Sequence, residues 1–191
     1  MIFGIIGGNG VAATNKLLEL IENKYTENGA FRDAHHPEML IYQATQAPSR
    51  SMFLEGRGES FIGDYVEVGK KLKNAGATTL CMCCNTAYYA IEILQKEIGL
   101  PFINLIAEVV RVAKNTGEKN IGLAAAVGCL AGKVYEKQFA ALFPEVNIIY
   151  PDAAMQKEVT RGIVNVKNKN RFLPDDHSDR PKNIFQNVYE H

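Results

Sequence analysis

The sequence predicts an α/β fold of two similar lobes, each a mainly parallel sheet flanked by helices. Three observations carry that reading. Short apolar runs alternate with stretches of helical periodicity almost from end to end. Several of the runs are apolar on both faces, as strands covered by helices on both sides must be. The repeated order strand, helix, strand implies right-handed crossover units.

The strand candidates are "IFGIIGG", "MLIYQA", "TTLCMCC", "PFINLI", "NIGLAAA" and "VNIIYP". Each is rich in β-branched or bulky apolar residues and is bounded by Gly, Pro, Asn or Asp. Between them lie helix candidates. Residues 13–25 align Leu17, Leu18, Leu20 and Ile21 on one stripe, and residues 63–74 align Tyr65, Val66, Gly69 and Leu72. Residues 87–98 carry Ile91, Leu94 and Ile98, with Gly99 as the expected stop. Residues 106–114 and 130–142 continue the rhythm. The polar stretch "NVKNKNRFLPDDHSDRPKN" reads as a loop, and an amphipathic helix follows through Ile184, Phe185, Val188 and Tyr189. A helix delivered by a crossover should be followed by a strand, so the second lobe reads as incomplete. The expected lobes are 1–100 and 101–191.

Composition narrows the function classes. The chain has 191 residues, 47% hydrophobic and 22% charged, and its 21 Lys+Arg balance 21 Asp+Glu. A zero net charge gives no support to nucleic acid or a membrane surface as partner, either of which calls for a basic surplus. No apolar run approaches the roughly 20 residues of a bilayer span. The opening "MIFGIIGGNG" lacks a cationic leader pattern. Four cysteines in a chain of this length do not make a secreted disulfide framework, so the cytoplasm is the expected location.

Three of those cysteines stand at Cys81, Cys83 and Cys84. Strand alternation sends Leu80 and Met82 to one face and Cys81 and Cys83 to the other, as buried small hydrophobes. Cys84 falls at the carboxyl end of the strand, before Asn85, a favoured N-cap residue, and Thr86. Sites in doubly wound sheets lie outside those strand ends. A thiol there meets the positive end of a helix and unpaired N–H groups, both of which favour thiolate. A zinc clip needs a second ligand pair that C-x-C-C lacks, and a disulfide between adjacent residues is strained. The strand-end position alone leaves a reactive thiol and plain core filling equally open.

Two further segments bear on the choice. "GIIGGNGVAAT" places a glycine-rich turn between strand and helix, without the Lys-Ser/Thr of a nucleotide loop. Its amides suit a phosphate or a carboxylate. "QATQAPSR" ends in Arg50, a planar donor suited to bidentate carboxylate binding, or else an ordinary loop arginine.

"GIIGGNGVAAT", "QAPSR", "CNTAYY" and "IGLAAAVGC" together resemble the aspartate/glutamate racemase superfamily, and its aspartate racemase branch most. The resemblance runs over essentially the whole chain, and Cys-Asn-Thr-Ala after a buried strand is its most specific element. It implies a two-lobed protein that racemises an acidic amino acid without pyridoxal phosphate or metal, with homodimers common among relatives. Two cysteines on opposite faces of the α-carbon act there as base and acid. Cys84 matches the first of these. Asn85 and Thr86 match its substrate-contacting neighbours, and Arg50 matches a carboxylate clamp. Lys167 matches a lysine that pairs with another carboxylate. Asn9, beside Gly10, takes a position usually held by Met, and Cys129 falls where a substrate-contacting Thr is usual. Cys129 lies at the wrong motif for the second acid/base and reads as a small residue replacing that Thr.

The sequence departs from the family pattern at Val11, Tyr88, Ala126, Cys129 and Gly132. The resemblance places the second cysteine in a Gly-Cys-Thr segment, one strand beyond the helix that begins at Pro181. That implies a chain truncated at its C-terminus and impaired in racemisation. The alternatives are a non-catalytic small-carboxylate binding protein or a one-base decarboxylase or isomerase of the same fold.

Overall fold

A computed structural model describes all 191 residues, which form two compact units, Met1–Leu105 and Ile106–His191. The first is built on three parallel strands, β1 (Ile2–Gly7), β2 (Glu38–Gln43) and β3 (Thr79–Met82), in the order β2-β1-β3. Ile5 is in register with Ile41 on one side and Cys81 on the other, and Ile5 and Ile6 are wholly buried. Alternation in β3 holds: Leu80 and Met82 are sealed in the core, whereas Cys81 and Cys83 are half-buried rather than fully buried as expected.

The connecting helices are α1 (Val11–Glu27), α2 (Arg50–Leu54), α3 (Ile62–Asn74) and α4 (Ile91–Ile98). Helix α3 buries Tyr65, Val68, Gly69 and Leu72, the stripe its 3.6-residue period requires. Gly69 lies so close to Ile98 of α4 that a Cβ there would sit 2.2 Å from the Ile98 side chain, so the glycine lets the two helices approach. Helix α4 ends on Gly99, as expected, in the left-handed conformation.

"PFINLI" does not make a full strand. Phe102 alone bridges Leu80 in parallel, through Leu80 N–H to Pro101 O and Ile103 N–H to Leu80 O. Pro101 has no N–H to extend the ladder, and the helix α5 (Leu105–Asn115) begins two residues after Ile103.

The second unit holds two short parallel strands, β4 (Asn120–Gly122) and β5 (Asn147–Ile149), with Ile121 opposite Ile148. "NIGLAAA" shortens to three residues because its alanines have little to gain in a sheet. The helix expected over 130–142 is two, α6 (Val127–Ala131) and α7 (Val134–Leu142). The break falls at Lys133, whose φ of 50° puts a side chain in the left-handed region. Helix α8 (Ala153–Asn165) escaped the sequence reading. Asp152 caps it by accepting from Ala154 N and Met155 N at 2.8 Å. The expected polar loop contains a 3-10 turn, Lys169–Phe172, before α9 (Pro181–Glu190). Helix α9 packs on α8 where Gly162 leaves room for the Phe185 ring. No helix is long and apolar enough to cross a membrane.

Candidate functional site

In the first unit the carboxyl ends of β1, β2 and β3 lie side by side. Ala44 N–H donates to Gly7 O at 2.9 Å, and Cys83 N–H donates to Ile6 O at 3.3 Å, so the three following loops share one end of the sheet. Parallel pairing dictates this: all three strands run the same way, and their loops leave together.

The turn after β1 is fixed by two features. Gly8 has a φ of +81°, and a Cβ there would lie 2.7 Å from the Ala44 backbone nitrogen, so the tight passage needs a glycine. Thr14, wholly buried on α1, accepts from Gly8 N at 3.0 Å and lies 3.2 Å from Gly10 O as a hydroxyl donor. The same hydroxyl is within hydrogen-bond reach of the Cys83 thiol. Burial pushes that thiol up from its usual range, against the pull of Thr14, and pushes Cys81 up to about 12.

Asn9 is buried within this turn, with 7% of its surface exposed. Its Nδ2 donates to the Tyr65 hydroxyl, while its Oδ1 has no hydrogen-bond partner. Arg50 is the first residue of α2 rather than the end of a loop, and Ser49 caps that helix by accepting from Met52 N. Its guanidinium is folded against backbone: Nη1 donates to Pro48 O at 3.0 Å and Nη2 to Asn9 O at 3.3 Å. Arg50 Nε is buried without a partner. A buried donor and a buried acceptor are thus left open on neighbouring residues, an arrangement native interiors rarely keep without a ligand or a water. The fork expected to clamp a carboxylate has its Nη groups partly engaged, and Nε is the open donor.

Cys84 is half-buried, two residues beyond β3, in extended backbone with φ of −138°. Asn85 was expected to cap a helix. Instead Cys84 holds the cap position, its carbonyl accepting from Ala87 N at 3.1 Å, and a six-residue 3-10 turn, Asn85–Ala90, precedes α4. Within this turn Tyr88 is buried. Its hydroxyl lies 3.2 Å from Met82 N and 2.9 Å from Ile103 O, locking the strand end. Asn85 is exposed and Thr86 buried. Helix α2 packs against this turn, which sets the Arg50 helix beside the Cys84 segment. Cys81, Cys83 and Cys84 do not gather with other side chains into a cluster able to hold a metal ion.

The structure therefore gathers Asn9, Gly10, Arg50, Cys84, Asn85 and Thr86 around one sheet end. Cys129 and Lys167 belong to the second unit. Cys129 is buried in the middle of α6, near the Tyr135 hydroxyl, and Lys167 is exposed just past α8. Tyr65 is the residue sequence reasoning missed as a site member. Its place in the apolar stripe of α3 reads as core, although a buried tyrosine there requires a partner for its hydroxyl.

The family model described as Asp/Glu/Hydantoin racemase matches residues 6–180. A broad specificity amino-acid racemase of Bacillus subtilis (strain 168), RacX, is 23% identical over 99% of this chain and 78% of its own length. Among solved structures, the aspartate racemase of Picrophilus torridus superposes with a TM-score of 0.81 at 26% identity, over 99% of this chain and 74% of the other. An aspartate racemase homologue from Pyrococcus horikoshii OT3 superposes at 0.61 and 17% identity, over 98% of each chain, a likeness of fold.

Proposed function

Because the chain belongs to the Asp/Glu/Hydantoin racemase family, we propose that it acts at the α-carbon of a small acidic amino acid, with Cys84 as the base and no pyridoxal phosphate. The observation that carries this reading is the thiol of Cys84 at the sheet end, beside the helix that presents Arg50 and its unpaired Nε.

The chemistry follows from those groups. The α-proton of an amino acid is weakly acidic, so a base must work where the developing charge is stabilised. Arg50 Nε takes one oxygen of a substrate carboxylate, which fixes the carbon chain and offsets its charge. The Cys84 thiolate then removes the α-proton, becoming a thiol, and the electron pair spreads into the adjoining carboxylate. Returning the proton from Cys84 to the same face restores the original configuration. Inversion needs a second acid on the opposite face, and the buried Cys129 is not assigned that role.

The test is to incubate the 191-residue chain with L-aspartate in deuterated water, following α-deuteration by mass spectrometry and configuration by chiral chromatography. Deuteration with retained configuration is the expected result. Full racemisation would show that a second acid is present among these residues. Binding by calorimetry without deuteration would make the chain a small-carboxylate binding protein, and absence of both would remove the assignment.

A further inference from the structure

We propose that Tyr65 is a positioning residue for Arg50, acting through Asn9; the inference rests on the reading of Arg50 as the carboxylate anchor. A closed ring of contacts connects the three. Arg50 opens α2, and Phe53 of the same helix meets the Phe61 ring edge-on, with centroids 5.7 Å apart. Phe61 in turn meets the Tyr65 ring edge-on at 5.1 Å. The Tyr65 hydroxyl accepts from Asn9 Nδ2, and Asn9 O accepts from Arg50 Nη2 at 3.3 Å, which closes the ring.

Each link has a physical consequence. Phe61 and Tyr65 are wholly buried, so the aromatic side of the ring is rigid. The hydroxyl is the one polar point by which that rigid stack holds the glycine-rich turn. The phenol is protonated at neutral pH, and burial raises its ionisation further against the pull of the Arg50 charge, so it is a neutral hydrogen-bonding group. Without it, Asn9 loses its side-chain partner, and the carbonyl that steadies Arg50 Nη2 is free to move. The guanidinium carries a buried Nε with no partner, an arrangement that persists only when its surroundings hold it. The brace therefore keeps an open donor aimed for a ligand rather than letting it turn to water.

The experiment compares the unmodified chain with Y65F, N9A, R50A and Y65F/R50A, after thermal melts establish that each is folded. Calorimetry with L-aspartate should show Y65F weakened by about fivefold, the worth of one net hydrogen bond. On the R50A background the same change should have no effect, because the two act as one unit. An equal loss on both backgrounds, or no loss in Y65F, overturns the proposal. Independently of any ligand, NMR of the Arg50 Nε–H should show faster solvent exchange in Y65F and in N9A. Unchanged exchange also overturns it. If R50A binds aspartate as well as the unmodified chain, the anchor reading fails, and the exchange measurement still decides whether the brace exists.

Discussion

Arg50 and Cys84 reach the site by different means. Cys84 arrives by strand geometry: alternation in β3 buries Leu80 and Met82, and the chain leaves the sheet two residues later. Arg50 arrives by hydrogen bonding to the nearby Pro48 O and to Asn9 O, 41 residues away, which spacing in the sequence cannot reveal. The carboxyl end of β3 was therefore legible from the cysteine pattern, while the orientation of the guanidinium was not. Arg50→Ala should weaken aspartate binding by about 1.5–3 kcal/mol, the value of a charge-assisted hydrogen bond. Calorimetry checks this, and an unchanged affinity would return Arg50 to the ordinary surface.

At the level of elements, strand positions and most helices were readable, whereas helix α8 and the exact bounds of the shortest elements were not. The α3 stripe gave its helix to within one residue. Strands β4 and β5 fall within the runs expected for them, but their trimming to three residues, the break at Lys133 and the single bridge at Phe102 are decided by tertiary pairing that leaves little local signal. The Asn85 expectation missed by one residue: Cys84 holds the cap position and Asn85 opens the 3-10 turn, whose Tyr88 hydroxyl bonds the strand end. The turn after β1 gives a direct stability test. Gly8→Ala combines left-handed strain with a backbone clash, and should cost about 1–3 kcal/mol in denaturant unfolding. A neutral result would mean that the turn relaxes freely.

Buried acids of the first unit give it a pH dependence with a definite sign. Cys81 ionises near 9.0 when unfolded, and burial pushes it up to about 12 when folded. Above about pH 9 the unfolded state binds fewer protons than the native one, so stability present below that pH falls as pH rises. Tyr65 and Tyr88, raised from 10.0 chiefly by burial, add to the loss above about pH 10. Urea midpoints taken between about pH 8 and pH 11 should fall steadily, and less steeply in Cys81→Ala. A flat profile would contradict the raised ionisation of the half-buried Cys81 thiol.

Across the whole molecule, two units each carry parallel strands with helices between, and the candidate site described here is built entirely from the first. The α/β class was legible because both-face apolar runs alternate with helical stripes over the length of the chain. The central claim is that the thiol of Cys84 takes the α-proton. The most direct measurement is the rate of α-deuteration of L-aspartate in deuterated water by the unmodified chain, Cys84→Ser and Cys83→Ser. Cys84→Ser should abolish exchange, because a serine hydroxyl is a far poorer base at neutral pH, while Cys83→Ser should retain it. Equal exchange by Cys84→Ser and the unmodified chain would contradict the claim.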